Sequence, residues 1–164
     1  MLSLQIKYLS FFFGLISVLS FFNIIYSYYL NLYLNLDTYY LSLIISLIIS
    51  VLFYKIKTSE KKSSIFEKIL TVFFGYVLIP LVLSIPFYFS IYNLTFLDSY
   101  FEAISGFTST GFTIFENIKH IDQSLILWRS TTQWIGGLYF IFSIIFLIYI
   151  YDESFKKTLK IGRT

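Results

Sequence analysis

The sequence predicts an all-α integral membrane protein: four membrane-crossing helices and one shorter re-entrant helix that ends in a polar loop. Three observations point there. The chain has 164 residues, of which 57% are hydrophobic and 13% charged, against a charged share of about 25% in soluble domains. The apolar residues gather into four runs, most of them near or above the roughly 20 residues that cross a bilayer as a helix. The basic residues also sort by side. With four crossings, Lys7, Lys55, Lys57, Lys61, Lys62, Lys68, Lys156, Lys157, Lys160 and Arg163 share one side, leaving Lys119 and Arg129 for the other. Positive charge accumulates on the cytoplasmic side, so both termini are expected there.

The N-terminal pair occupies residues 1–54. Tyr8 to Leu30 is the first span; it is longer than a signal-peptide core and lacks a small-residue cleavage site. Asn31 to Thr38 is a polar turn, and Tyr39 to Tyr54 the second span. Residues 55–68 form a basic cytoplasmic loop. Residues 69–151 form a helix, loop and helix unit, and residues 152–164 a basic cytoplasmic tail. Within the unit, Ile69 to Tyr92 is the third span. Pro80 and Pro86 inside it each remove a backbone donor and clash with the preceding turn, which predicts a bend. Thr95 to Phe107 reads as a short helix. Thr95 with Asp98, and Ser99 with Glu102, both have the spacing of a capping box, and Gly106 is placed to end the helix. Phe112 to Asp122 leads back out, and Leu125 to Tyr151 is the fourth span.

The polar stretch between the last two spans is the candidate site. At membrane depth, non-helical backbone persists only where protein buries it or where it lines a water-filled path. Thr108-Ser-Thr-Gly-Phe-Thr113 is such a segment, and its chemistry suits a dehydrated cation. An ion that sheds water needs replacement oxygens, which backbone carbonyls supply when aimed at an axis. Gly111 reaches backbone angles closed to other residues. Thr108, Ser109, Thr110 and Thr113 add hydroxyls or bond the backbone behind the loop. The C-terminal end of the preceding helix brings about half a negative charge. The structural alternative is an ordinary hydroxyl-rich turn.

Three further residues flank this segment. Glu102 is either a cap and dipole partner of the short helix or a support for the loop. Arg129 either snorkels to the interface, with Trp128 and Trp134 as interfacial aromatics, or pairs with Glu102, Glu116 or Asp122. Gln133 lies one turn beyond Arg129 on the same face. Gly136 and Gly137 read as close-packing positions, with Thr132 and Gly136 at small-residue spacing. Asn23 and Asn93 read as interhelical or boundary residues, and His120 as a surface loop residue.

Two pieces carry a family resemblance: Phe101-Glu-Ala-Ile-Ser-Gly-Phe-Thr-Ser-Thr-Gly-Phe-Thr113 and Leu127-Trp-Arg-Ser-Thr-Thr-Gln-Trp-Ile-Gly-Gly-Leu138. In order and spacing they resemble the first pore repeat of the TrkH/KtrB/HKT superfamily of potassium transporters, over about residues 69–151. The first two spans look like the extra helix pair that precedes this repeat in the TrkH branch. The resemblance implies potassium uptake across a bacterial inner membrane, with a filter at Thr108, Ser109, Thr110, Gly111, Phe112 and Thr113 supported by Glu102, Arg129 and Gln133. In the family, a filter glycine goes with potassium, and serine at that place in the first repeat goes with sodium.

Potassium is then the transported ion, bound through the filter backbone, with no cofactor in this chain. Family members carry four repeats, and this chain has one. It is therefore expected to be the N-terminal part of a TrkH-type pore. The alternatives are a single-repeat channel assembled as a homotetramer, or a membrane remnant or assembly subunit that does not transport. Expected partners are membrane lipid, further repeats or copies, and, by resemblance, a cytoplasmic nucleotide-binding regulatory subunit; no nucleic acid is expected. No nucleophile with its base, metal cluster or phosphate-binding loop suggests an enzyme. With no cysteine and one histidine, the chain offers neither a thiolate site nor a multi-histidine one.

Overall fold

The computed structural model describes residues 3–56 and 65–161, and among them every regular element is helical. The elements are α1 (Ser3–Tyr29), α2 (Leu36–Lys55), α3 (Ile65–Leu83), α4 (Ile85–Tyr88), α5 (Phe96–Phe107), a 3₁₀ turn (Ile118–His120) and α6 (Gln123–Ile161). Four stretches are long and apolar enough to cross a membrane: Lys7–Tyr29 in α1, Leu36–Lys55 in α2, Ile69–Tyr88 across α3 and α4, and Gln123–Ile148 in α6. α5, with 12 residues, is too short to cross. Most of the basic loop, from residue 57 to 64, lies outside the described residues.

α1 and α2 form an antiparallel hairpin. α1 ends in a reciprocal turn: Leu32 N–H donates to the Ser27 carbonyl at 2.8 Å and Asn31 N–H to Tyr28 at 3.3 Å, with Asn31 at φ 56°. This satisfies carbonyls that a helix end otherwise orphans. Lipid tails are as apolar as leucine, so helices associate in membranes by close packing and hydrogen bonds. The hairpin uses both. Thr38, Ser42 and Ser46 are buried at four-residue intervals on α2. Ser20 Oγ donates to Ser42 Oγ at 3.2 Å, and Ser10 and Ser50 each donate to the other's carbonyl at 2.8 Å.

Where the two prolines predicted a bend, α3 runs through Pro80 and the helix breaks before Pro86. α3 stops at Leu83, and α4 restarts with Pro86 in its first turn, where a missing N–H does no harm. The break frees the Leu83 carbonyl, which Trp128 takes: its indole Nε1 donates at 3.0 Å. Trp128 is fully buried, so it is an interior tie between α3 and α6 and no interfacial anchor. Trp134 is 58% exposed.

α6 starts at Gln123, two residues before the expected span, and runs on to Ile161. The sequence between Tyr151 and Ile161 contains no glycine or proline to end it, so residues 152–161 continue the helix. The core joins α1, α3, α5 and α6 through Phe12, Ile79, Phe107 and Tyr139, all buried. Tyr139 Oη donates to the Val72 carbonyl at 2.9 Å, tying α6 to α3.

Candidate functional site

α5 begins with Thr95 as its N-cap, one half of the expected capping box. Thr95 Oγ1 accepts from Asp98 N–H at 3.2 Å and donates to Asp98 Oδ2 at 2.6 Å. The second candidate box is not used, because Ser99 Oγ turns back to the Thr95 carbonyl at 2.9 Å. That leaves Glu102 for another task.

Gly106 does not end α5. The helix continues through Phe107, and Ser109 takes the left-handed position at φ 55°. Ser109 N–H donates to Gly106 at 2.9 Å and Thr110 N–H to Ser105 at 3.0 Å, the reciprocal pattern that closes a helix end. Gly106 is needed for packing, since a Cβ there would meet Thr132 Oγ1 at 2.1 Å. Gly136 has the same role one turn on: its Cβ would lie 1.7 Å from the Phe107 carbonyl oxygen. α5 therefore lies backbone-close on α6. Gly137 faces open space, with nothing within 4 Å of an added Cβ.

This crossing brings Glu102 and Arg129 together. Glu102 is fully buried and accepts three hydrogen bonds. Thr113 Oγ1 and Ile114 N–H donate to Oε1 at 2.5 and 2.6 Å, and Arg129 Nε donates to Oε2 at 3.0 Å. Arg129, 14% exposed in its side chain, reaches on with Nη2 to the carbonyls of Phe112 at 3.1 Å and Gly111 at 3.4 Å. Ser105 Oγ also donates to the Phe112 carbonyl, at 2.7 Å. One carboxylate and one guanidinium thus clasp the strand after α5 from behind. A buried charge needs such pairing and hydrogen bonding to be tolerated.

Arg129 does not snorkel, and of its three candidate partners it takes Glu102. Asp122 serves elsewhere, accepting from Asn35 Nδ2 at 2.9 Å and Ser124 Oγ at 2.5 Å; Glu116 is exposed. Gln133 is exposed, and no described hydrogen bond links it to the loop. Side chains lean toward a helix's N-terminus, which carries Arg129 to the strand and away from Gln133.

The loop itself divides in two. Thr108, Ser109, Thr110, Gly111 and Phe112 are exposed, Phe112 by 66%. Gly111 sits at φ 82° with open space around it, the left-handed backbone that glycine enters without strain. Among the described residues no donor reaches the carbonyl oxygens of Thr108, Ser109 or Thr110, whereas those of Gly111 and Phe112 are held by Arg129. The Thr108 hydroxyl donates to the Ile104 carbonyl at 2.8 Å and lies 2.6 Å from that of Thr110. Thr113 turns its hydroxyl inward to Glu102.

Sequence reasoning missed Ser105 and a buried polar tie at the same end of the molecule. Asn35, in the turn between α1 and α2, donates to Asp122 and accepts from Ile91 N–H at 3.1 Å. Tyr39 Oη lies 2.9 Å from Ser124 Oγ, and Asn23 Nδ2 donates to the Ser124 carbonyl at 3.3 Å. The hairpin is thereby fastened to the start of α6. Asn23 is interhelical, as its residue type suggested, but its partner lies 101 residues away, and no local pattern announced that partner or the other members.

Comparison with known proteins places this arrangement. Residues 42–163 match the family model TrkH, described as cation transport protein. The chain is 28% identical over 127 residues to an uncharacterized cation transporter of Methanocaldococcus jannaschii, covering 76% of this chain and 27% of the relative. It is 41% identical over 46 residues to the Trk system potassium uptake protein TrkG of Escherichia coli K12, covering 28% of this chain and 10% of that protein. It is 38% identical over 56 residues to TrkH of the same organism, covering 34% and 12%. The chain thus spans about a quarter or less of these relatives' lengths. With the family model matched over most of the chain, across the clasped loop and both helices that hold it, the protein belongs to the TrkH family of cation transport proteins.

Proposed function

We propose that this chain supplies one wall of a potassium-uptake pore, completed by further helix, loop and helix repeats of the same kind. The observation that carries the reading is the clasp. Glu102 and Arg129 hold the segment through its backbone, and among the described residues no donor takes the carbonyls of the exposed Thr108, Ser109 and Thr110. Carbonyls so placed can replace water around a cation, and the C-terminal end of α5 adds its partial negative charge. Glycine at 111 and the potassium-uptake relatives favour potassium as the ion. The exposed face of the strand and of Phe112 is where neighbouring walls would stand.

In this reading the helix pair α1–α2 braces the wall. The basic ends face the cytoplasm of a bacterial cell, where a nucleotide-binding regulatory ring would dock. A strain lacking its own potassium uptake, supplied with the complete pore containing this chain, tests the function. Growth and ion uptake at low potassium are expected, and Arg129→Gln should abolish both with the protein still in the membrane. Absence of uptake from the intact protein, present at normal levels, would instead favour a membrane subunit that does not transport.

A further inference from the structure

The ends of α1 and α2 that carry Lys7 and Lys55 enclose a half-open groove of about 500 Å³. Its α1 side is one face of the helix, with Lys7 at the mouth and Phe11, Leu15 and Val18 following at helical spacing. Its floor is the close contact of the hairpin, where a Cβ on Gly14 would lie 3.1 Å from Ser50 Oγ. The floor's hydroxyls are already spent: Ser10 and Ser50 donate to each other's carbonyls. Below Lys7 and Tyr54 the surface offered is therefore mostly hydrocarbon, where water finds few partners.

We propose that this groove binds an anionic glycerophospholipid, with one acyl chain along α1 and the phosphate at Lys7. Three features fit one molecule of that class. From Lys7 to Val18 is 11 residues, or about 16 Å of helix, which matches one leaflet of a hydrocarbon core about 30 Å thick. The groove thus has the depth of a single acyl chain. Among the described residues its only charged lining group is Lys7, an exposed cation at the end of the span, where long basic side chains reach the headgroups. The ammonium lies 6.0 Å from the Tyr54 ring centroid, and no described carboxylate pairs with it. A phosphate would supply the missing anion while the Tyr54 ring flanks it at the interface. The proposal needs only that α1 and α2 cross a membrane, and is independent of potassium transport.

The test uses the full chain in vesicles doped with phosphatidylglycerol or phosphatidylcholine bearing a photoreactive acyl chain, with labelled peptides mapped by mass spectrometry. Phosphatidylglycerol should label the Phe11–Val18 stretch about fivefold more than phosphatidylcholine, the preference one lysine near the surface confers. Lys7→Gln should bring the ratio to one without lowering helix content. The lipid-exposed face of α2 around Leu47, away from the groove, should show no headgroup preference in either protein. Equal labelling by the two lipids, or a preference that survives Lys7→Gln, would overturn the proposal. So would no labelling by either lipid, which would mean that another protein segment covers the groove.

Discussion

Glu102 and Arg129 are the residues on which the site depends, and their roles are separable. The carboxylate is buried and orients Thr113, Ile114 and the guanidinium; the guanidinium holds the Gly111 and Phe112 carbonyls. Removing one partner of a buried pair leaves the other uncompensated and costs about 3 kcal/mol or more, whereas replacing both with apolar groups of similar volume is often far less harmful. Glu102→Leu should therefore destabilise the protein by about that amount, and Glu102→Leu with Arg129→Met by clearly less. Denaturation of the complete pore in detergent measures both. If the two substitutions simply add, the pair is not coupled. Only part of this was legible in the sequence. Residue type marked both as partners in waiting, but three carboxylates were open to Arg129. The choice depends on how α5 crosses α6, which no local spacing encodes.

At the scale of the element, that crossing rests on glycines that the sequence marks without ranking. Gly136 and Gly137 are neighbours with the same composition signal, yet one meets the Phe107 carbonyl and the other open space. Gly136→Ala should push α6 off α5 and cost about 3 kcal/mol or more, at the upper end of overpacking penalties. Gly137→Ala should stay within about 0.5 kcal/mol of the parent. Thermal melts of the two variants in detergent decide it, and equal melting points would refute the close contact. The helices themselves were legible because apolar length and capping chemistry are local. Thr95 as cap, and a disturbance of the third helix at its prolines, followed from residue type alone; that the disturbance is a break did not. Gly106 and Trp128 did not. Each has a frequent local role, helix stop and interfacial anchor, that a tertiary contact overrides here. The four-residue stripe of Thr38, Ser42 and Ser46 was a readable sign of close helix packing that sequence reasoning passed over.

For the whole molecule, charge distribution and site join in one proposed topology, with the basic ends of a four-span membrane protein inside and the clasped loop near the outer end. The buried tie of Asn35 to Asp122 sits at the same end of the molecule as the loop, fastening the hairpin to the start of α6. Its partners are distant in sequence and so were not legible. Orientation is testable with single cysteines, since the chain has none of its own. Cysteines at Leu34, which is 67% exposed, and at Asn117 should react with an impermeant reagent in intact cells. One at Ser63 should react only after the cells are opened; labelling of Ser63 from outside would invert the topology. The central claim, that the strand after α5 is the wall of a potassium filter, is met most directly at Gly111. Serine there would strain a backbone held at φ 82° and place a hydroxyl beside the ion path. The measurement is the permeability of potassium relative to sodium through the complete pore, reconstituted with and without Gly111→Ser. The account predicts that the ratio falls by about tenfold, equivalent to about 1.4 kcal/mol of lost discrimination, while an unchanged ratio in a folded, conducting protein would contradict it.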